Sequence, residues 1–422
     1  MQRPRRSSRL SRRFPKLAGR SVMTDKPLTG LRVLDLATFV AAPFAASLLG
    51  EFGAEVIKIE QPGGGDPLRS FGTRVSKDST LVWKSEARNK KSACLDLRKP
   101  EGAALFKRLV AISDVVCENF RPGTLEKWGL GFDALSALNA GLVLLRISGY
   151  GQTGPYAERP GFARIAHAMG GLTHLAGMKG EAPVTPGSTS LADYAAGLYG
   201  AFGVLTALRQ RDKSGRGQVV DVALYEGIFR FLDEVAPAFA RNGTIRGREG
   251  LYTVTACPHG HYPTSDGKWV AIACTNDRMF ERFAALVSAH GAPPPAHWFK
   301  GASRVPERDA VNEWAARFTA TLDRDALIAA CVDGEIPCAS VADISDIFAD
   351  PHYAAREVLR RITDLSDGQT YVVPNVVPRL SETPGSVDTL GPPLNSHADY
   401  VFKELLGLSE DEIDKARAAG AI

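Results

Sequence analysis

Residues 30–60 read GLRVLDLATFVAAPFAASLLGEFGAEVIKIE. An apolar run at 32–36 is followed by a helical pattern at 41–51 and a second apolar run at 55–59. Because two parallel strands need a crossover between them, this order predicts a βαβ unit. The alternation continues to residue 150, so we predict an α/β fold in which a large Rossmann-like domain contains a parallel sheet. The turn after the first run lacks the G-x-G-x-x-G pattern, so the sequence does not support a nicotinamide cofactor.

A second strand and helix pattern begins at Gly267 and continues to about Asp333. It predicts a smaller α/β domain inserted between two parts of the first. The predicted units are a basic disordered extension (1–24), the first part of the large domain (25–225), a linker (226–250), the small domain (251–335), and a linker with the return to the large domain (336–422).

Composition places the chain among ordinary globular proteins, with 44% apolar and 23% charged residues among 422. No run approaches the ~20 uninterrupted apolar residues of a membrane span, so we expect a soluble protein that binds no membrane. The scattered cysteines described below lead us to expect a cytoplasmic protein. The net charge is only +4, and residues 1–22 contain eight basic residues and no acidic one. The body of the chain therefore offers no electrostatic case for nucleic acid binding. The basic segment could be a transit-like peptide, a disordered arm or an upstream mis-start, of which we favour the last two.

Six cysteines lie far apart in apolar or mixed segments, with no C-x-x-C spacing. This distribution is typical of reduced core residues and predicts no metal site. Cys338 could act as a thiol nucleophile, but no basic residue near it in sequence would lower its pKa.

Asp193 begins a helix of small residues directly after the polar turn 186–190. A helix-starting Asp is usually an N-cap, which accepts hydrogen bonds from the first N–H groups of the helix. A carboxylate can also serve as a nucleophile toward an acyl group. We regard Asp193 as the candidate nucleophile because of the segments that surround it.

Those segments follow one another in an order that resembles the family III coenzyme A transferases, the CaiB/BaiF family, from Leu28 onward. The matching pieces are residues 30–36, 53–60, 63–66, 88–92, 118–123, 148–155 and 213–218. The family shares its fold with the α-methylacyl-CoA racemases. The resemblance implies acyl-CoA as substrate and two subunits threaded through each other, as a homodimer or with a close paralogue.

The resemblance also implies which residues hold coenzyme A. They are Phe39, Val40, Ala41, Gln61, Arg88, Lys90, Lys91, Asn119, Phe120, Arg121, Arg146 and Tyr150. Arginine suits a phosphate because its planar fork donates two parallel hydrogen bonds. For each cation, a solvated loop charge is the alternative. Gln61 is a departure, since many members have Arg there.

In the family, the Asp carboxylate attacks the thioester and becomes an aspartyl-CoA thioester, from which the acceptor acid takes CoA. We expect Asp193 to be ionised at neutral pH, with an ordinary pKa near ~3.9. Backbone N–H groups would stabilise the oxyanion, and the matching region is 258–262. Its members His259, Gly260 and His261 are the expected substrate contacts there, although two histidines in a loop are as often surface residues.

Racemisation of a 2-methylacyl-CoA is the closest rival activity. It would need a His-Asp pair where this chain has Phe162 and Ala163, and neither can move a proton. His167 lies five residues after Phe162, on a predicted helix. It is either packed in the core or in contact with substrate.

Segments 161–168 and 374–385 resemble the branch of the family that moves CoA from succinyl-CoA to L-malate. Arg164 is a chemically sensible partner for the remote carboxylate of a dicarboxylic acid. Itaconate, citramalate, mesaconate or glutarate would satisfy the same chemistry. A non-catalytic acyl-CoA-binding protein is the alternative of a different class, and the presence of Asp193 argues against it.

Overall fold

The computed structural model describes residues 25–422, so the prediction of a disordered extension at 1–24 lies outside the described residues. The strands, in chain order, are β1 (Arg32–Asp35), β2 (Glu55–Glu60), β3 (Arg74–Ser76), β4 (Ser79–Thr80), β5 (Lys90–Cys94), β6 (Val115–Glu118), β7 (Val143–Ser148), β8 (Val219–Ala223), β9 (His259–Pro263), β10 (Trp269–Ala273), β11 (Cys338–Ser340), β12 (Leu359–Thr363) and β13 (Thr370–Pro374).

The helices, in chain order, are α1 (Ala41–Glu51), α2 (Leu81–Glu86), α3 (Pro100–Ala111), α4 (Thr124–Lys127), α5 (Phe132–Ser136), α6 (Ala163–Met169), α7 (Leu172–Leu175), α8 (Leu191–Ser214), α9 (Leu224–Phe229), α10 (Val235–Asn242), α11 (Asp277–Ala289), α12 (Gly301–Arg304), α13 (Arg308–Thr319), α14 (Arg324–Asp333), α15 (Ile344–Ala349), α16 (Pro351–Ala355) and α17 (Glu410–Ala418). Short 3₁₀ turns lie at Pro67–Ser70, Ala296–Phe299 and Val305–Glu307, and a π-helical turn at Tyr400–Leu405.

Six parallel strands form the main sheet, in the order β5-β2-β1-β6-β7-β8. This arrangement confirms the predicted α/β fold with a large parallel sheet. All six strands end at the same edge, and in sheets of this kind ligands bind outside the carboxyl ends of the strands. The loops that follow β1, β6 and β7 are therefore brought together there.

Helices α1 and α8 pack on one face of the main sheet, in a core rich in small residues such as Ala45 and Ala196. Close approach of the two helices depends on Gly197, because a Cβ there would lie 2.6 Å from the carbonyl oxygen of Ala41. The pair α1 and α8 thereby couples the loop after β1 to the start of α8.

The other face of the sheet is covered by α3 and by the C-terminal segment, whose Phe402 and Ile413 belong to the same core cluster as Leu109. The chain thus returns to the first domain after the small one. The small domain has an antiparallel sheet, β11-β10-β9, packed against α11, α13 and α14 around Phe283 and Trp314. Residues 258–262 were predicted as a loop, but 259–262 lie in strand β9 of this sheet, so that prediction was wrong.

Helix α8 continues to Ser214, so it includes Lys213 and Ser214 of the matching segment 213–218. Among the described residues it alone is long and apolar enough to cross a membrane by length and composition. Half of its apolar window is buried, and it forms the crossover between the parallel strands β7 and β8. That is the position of a core helix in an α/β fold.

Candidate active site

The loops after β1, β6 and β7 and the start of α8 enclose one cleft, which we call the Asp193 cleft. It lies at the carboxyl edge of the sheet, and it contains the candidate nucleophile and six of the predicted coenzyme A contacts. Its lining residues are Thr38, Phe39, Val40, Ala41, Asn119, Phe120, Arg121, Pro122, Ile147, Ser148, Gly149, Ala157, Arg159, Pro160, Gly161, Phe162, Asp193 and Leu224.

A second cleft, the adjoining cleft, shares Thr38 and Phe120 with the first. Gln61 lies here, as do residues 95–98, which directly follow β5. Arg98 of this segment was missed by the sequence analysis. Its guanidinium pairs with Asp96 at 2.7 Å and its side chain is half exposed, so it can still face an anion. Its position just after a predicted parallel strand could have indicated a place near the ligand site.

The loop after β1 adopts an unusual conformation at Phe39, whose φ is 61°. A bulky residue rarely adopts this left-handed conformation, so its surroundings must hold it there. Asp66 accepts a hydrogen bond from the Phe39 N–H at 3.0 Å and lies 3.0 Å from the buried Lys58 ammonium. Asn119 supports the same loop through two hydrogen bonds with the backbone of Thr38. The Asn119 amide therefore holds the loop in place.

The Phe39 ring packs edge-on against Phe71 and Phe162, with ring centroids 6.3 Å apart in both pairs. Phe71 and Phe162 are both largely exposed. Edge-to-face pairs of this kind stabilise an arrangement by about 0.5–1.5 kcal/mol each. Phe39 and Phe162 thus form an aromatic wall of the Asp193 cleft.

Asp193 is the third residue of α8, and the N-cap is Ser190. The interpretation of Asp193 as an N-cap was therefore wrong. No hydrogen bond to its carboxylate occurs among residues 25–422, and burial raises its pKa to about 6, well above the ordinary value that we expected. The helix N-terminus acts in the opposite direction because its partial positive charge favours the ionised carboxylate. The side chain is thus a partly buried carboxylate with no hydrogen-bond partner within the described residues.

His167 contacts the backbone beside Asp193, not the cleft. The Ala192 N–H donates a hydrogen bond to His167 Nε2 at 3.0 Å, and His167 is only 2% exposed. The sequence analysis offered a packed core role or a substrate contact for this residue. The structure places it in the core, with a specific polar partner.

Arg164 is exposed on α6, two residues from Phe162. Within the described part of the chain it forms no ion pair, and it has none with Glu158. Tyr150 lies beside the cleft, with its ring 6.0 Å from that of Tyr156. The guanidinium of Arg159, which lines the cleft, stacks over Tyr156 at 3.6 Å and is a second cation that the sequence analysis did not single out.

Four predicted phosphate ligands lie elsewhere, in ion pairs within the fold. Lys90 is fully buried and pairs with Asp35 at 2.8 Å, and burial lowers its pKa. Arg146 pairs with Glu118 at 2.6 Å and Glu126 at 2.7 Å. The first contact links β5 to β1 across β2, and the others link β7 to its neighbour β6 and to α4. Neither Lys90 nor Arg146 lines the Asp193 cleft or the adjoining cleft. The structure therefore contradicts the expectation that Lys90 and Arg146 bind a phosphate, since both are held in ion pairs within the fold.

Arg88 lies 3.2 Å from Glu51, whose pKa burial raises to about 7, and also donates to the Pro374 carbonyl. Lys91, on the edge strand β5, pairs with Glu55 of the neighbouring strand β2 at 2.5 Å. Neither residue lines the Asp193 cleft or the adjoining cleft.

His259, Gly260 and His261 lie on β9 in the small domain and are not part of the Asp193 cleft. A Cβ at Gly260 would lie 2.3 Å from the Leu251 carbonyl oxygen, so this glycine permits two backbone segments to meet. Its demonstrated role in this chain is close packing.

Thiol and metal chemistry receive no support from the described residues. All six cysteines are free, and the pKa of Cys338 is raised by its contact with Cys331 and by burial. Across residues 25–422, no group of three or more His, Cys, Asp or Glu side chains could hold a metal ion.

The model of CoA-transferase family III matches residues 28–398. The beta subunit of succinyl-CoA–L-malate CoA-transferase from Chloroflexus aurantiacus is 52% identical over 400 residues, which cover 94% of this chain and 99% of that one. The alpha subunit is also 52% identical, over 93% of this chain and 92% of its own length.

Succinyl-CoA–D-citramalate CoA-transferase from the same organism is 43% identical over 94% of this chain and 98% of its own length. Among solved structures, a CaiB/BaiF family protein from Brucella suis superposes with a TM-score of 0.80 at 32% identity. That match covers 90% of this chain and all of the other.

Proposed function

The chain belongs to CoA-transferase family III, and on that premise we propose that it moves CoA from succinyl-CoA to a dicarboxylic acid, with L-malate as the best candidate. The observation that carries this proposal is the carboxylate of Asp193, which is partly buried in the cleft and has no hydrogen-bond partner among residues 25–422. The names of the relatives support the donor and the class of acceptor.

The proposed reaction passes through an aspartyl-CoA thioester. An oxygen of Asp193 attacks the succinyl thioester carbon, and the C–S bond breaks to release CoA thiolate and leave a mixed anhydride. The thiolate then attacks the aspartyl carbonyl carbon, which expels succinate and leaves CoA bonded to Asp193. The acceptor carboxylate attacks that thioester, the thiolate leaves, and its return to the acceptor carbonyl releases the new acyl-CoA and the free aspartate.

The environment of Asp193 suits this role. With a pKa of about 6, most molecules carry the ionised carboxylate at pH 7. Partial removal from water makes the oxygen a better nucleophile than a solvated one of the same charge. The aromatic wall of Phe39 and Phe162 would also keep bulk water from the thioester, so that transfer prevails over hydrolysis.

The acceptor is proposed to be read by Arg164, which is exposed near the cleft and unpaired within residues 25–422. Its guanidinium can donate two parallel hydrogen bonds to the distal carboxylate of a dicarboxylic acid. Citramalate, itaconate, mesaconate and glutarate remain candidates, and a relative named for D-citramalate supports the first.

A 2-methylacyl-CoA racemase is the weaker candidate. Phe162 and Ala163 cannot move a proton, and the Nε2 of His167 is already occupied by the Ala192 N–H. A non-catalytic acyl-CoA-binding protein would not need a desolvated carboxylate at the cleft, because burying one costs free energy.

We also propose that the protein acts in the cytoplasm as a dimer, either with a second copy or with a close paralogue. Helices α8 to α10, with the turn between α9 and α10, present large exposed apolar side chains, among them Leu198, Phe202, Phe231 and Phe239. An apolar surface of this extent usually marks an interface. The naming of two relatives as alpha and beta subunits supports a paralogous partner.

The test is a panel of donors and acceptors followed by mass spectrometry. We expect succinyl-CoA and L-malate to give malyl-CoA and succinate, with little free CoA. Incubation with succinyl-CoA followed by hydroxylamine should modify Asp193 as its hydroxamate. Exchange of the α-proton without acyl exchange would support the racemase, and binding without turnover would support the carrier.

A further inference from the structure

The first turn of α8 has an incomplete cap. The first four N–H groups of a helix have no partner within it and must find one elsewhere. Ser190, the N-cap residue, makes no side-chain cap bond, although its carbonyl oxygen accepts from the N–H groups of Asp193 and Tyr194 at 2.9 and 3.2 Å. The remaining donor of interest is the N–H of Ala192, the residue directly before Asp193.

The imidazole of His167 fills this gap from another helix. Its Nε2 accepts the Ala192 N–H at 3.0 Å, and both residues are almost completely buried. An acceptor nitrogen carries no proton, so the ring is neutral and its hydrogen sits on Nδ1. Burial, helped by the nearby Arg164 cation, lowers the pKa of His167 and so favours the neutral form.

We propose that His167 is a positioning residue that fixes the first turn of α8 and thereby aims the Asp193 carboxylate at the thioester. The inference rests on the proposed function of Asp193 as nucleophile. A ring with two side-chain torsions, buried on α6 as Ala163 and Ala166 are, is a rigid support for a neighbouring backbone. Reactivity in such a site depends steeply on placement, because a shift of about 1 Å can cost about 100-fold in rate.

Two substitutions separate this role from simple packing. In His167→Gln, the side-chain oxygen reaches as far from Cβ as Nε2 does and can accept the Ala192 N–H. His167→Leu fills a similar volume without an acceptor. The matched control is His352→Leu, at an exposed histidine on α16 with no described side-chain hydrogen bond.

We expect His167→Leu to lower the single-turnover rate of Asp193 acylation about 10- to 100-fold. The Gln variant and the control should stay within about threefold of wild type, by the same dependence on geometry. The dissociation constant for CoA should change little in all three, since His167 does not line the cleft. Equal rates for the Leu and Gln variants, or a loss confined to CoA binding, would contradict the proposal. If the Leu variant fails to fold, His167→Asn replaces it, because its oxygen is one bond too short.

A second measurement does not depend on activity. In protein labelled with ¹⁵N-histidine, the His167 resonances, assigned by their loss in His167→Gln, should show a protonated Nδ1 and an unprotonated Nε2 at neutral pH. A protonated Nε2 would overturn the proposal. A wild-type protein inactive on every donor and acceptor would instead overturn the proposed function, and the tautomer would still decide whether the His167 bond exists.

Discussion

At the scale of the residue, Asp193 carries a conflict between reactivity and stability. Burial raises its pKa from 3.8 to about 6, whereas the unfolded chain leaves the carboxyl in water. Between those pH values the folded state holds more protons than the unfolded state, so the stability contributed by this group falls as pH rises. Above pH 6 the charged carboxylate destabilises the folded protein.

We therefore expect Asp193→Asn to abolish CoA transfer while raising the free energy of unfolding at pH 7 by about 2–3 kcal/mol. The shift alone corresponds to about 3 kcal/mol, and the lost attraction of a carboxylate to the helix N-terminus offsets about 0.3–1 kcal/mol of it. Urea denaturation at several pH values measures the effect. The gain should shrink below pH 6 and vanish near pH 4, and a gain independent of pH would contradict it.

Arg164 supplies a test of substrate reading. A charge-assisted hydrogen bond contributes roughly 1.5–3 kcal/mol, so Arg164→Met should lower kcat/KM for dicarboxylates by about 10- to 100-fold. Monocarboxylic acceptors should be barely affected. The control is Arg209→Met, which removes an exposed arginine from α8. Equal losses for both acceptor classes would show that Arg164 acts on the fold and not on the acceptor.

At the scale of the element, the contact between α1 and α8 sets the geometry of the Asp193 cleft. Ala41 begins α1, and Gly197 lies one turn after Asp193 on α8. The carbonyl oxygen of Ala41 would be only 2.6 Å from a Cβ at position 197, so the two helices touch through backbone. Separation of α1 from α8 would move the loop after β1 and the nucleophile apart.

Gly197→Ala is therefore expected to lower both stability and kcat. Overpacking costs about 1–3 kcal/mol, against a gain of about 1 kcal/mol in helix propensity, so a net loss of up to about 2 kcal/mol should appear in urea denaturation. The kcat should fall by at least about tenfold, because the helices must shift. Gln210→Ala, at an exposed position of α8, tests propensity alone. A Gly197→Ala protein as active as wild type would show that α8 does not set the cleft.

At the scale of the whole molecule, the exposed apolar surface of α8 to α10 is the surface on which the proposed dimer would form. Phe202 is 67% exposed, and such a ring in water forgoes about 1.5–3 kcal/mol of burial energy. Leu365, which is 97% exposed, lies instead at the tip of the β12–β13 hairpin. The two residues provide a matched pair for testing where subunits meet.

Phe202→Glu should shift the protein from dimer toward monomer in sedimentation velocity, because a charge cannot be buried in an apolar interface without a partner. Leu365→Glu should leave the dimer intact. A wild-type chain that is monomeric alone and dimeric only with a paralogue would identify a heteromeric enzyme. Unchanged sedimentation of Phe202→Glu would place the interface elsewhere.

The sequence was sufficient for the fold class and for the choice of Asp193 as the candidate nucleophile. Alternation of apolar runs with helical patterns over 30–150 predicted the parallel sheet, because strand and helix have different periods of side-chain burial. The order of the motifs carries the resemblance to the family, and that resemblance implied that Asn119, Phe120 and Arg121 hold coenzyme A. The structure brings these three residues into one cleft with Asp193 at the carboxyl edge of the sheet. The inferences from the sequence need only local pattern and chain order.

Tertiary structure decided which charges and hydrogen bonds are used within the fold. Lys90 and Asp35 are 55 residues apart in sequence and 2.8 Å apart in space, so no local pattern could show that this lysine is already paired. The left-handed backbone of Phe39 depends on Asp66, and the cap of Ala192 depends on His167 from a separate helix. The raised pKa of Asp193 follows from burial by elements distant along the chain. Sequence alone determined the fold class and the candidate nucleophile of this protein. Packing decided which cations remain free, how the Asp193 carboxylate is held and how readily it ionises. Those properties depend on distances between residues that are far apart in the chain.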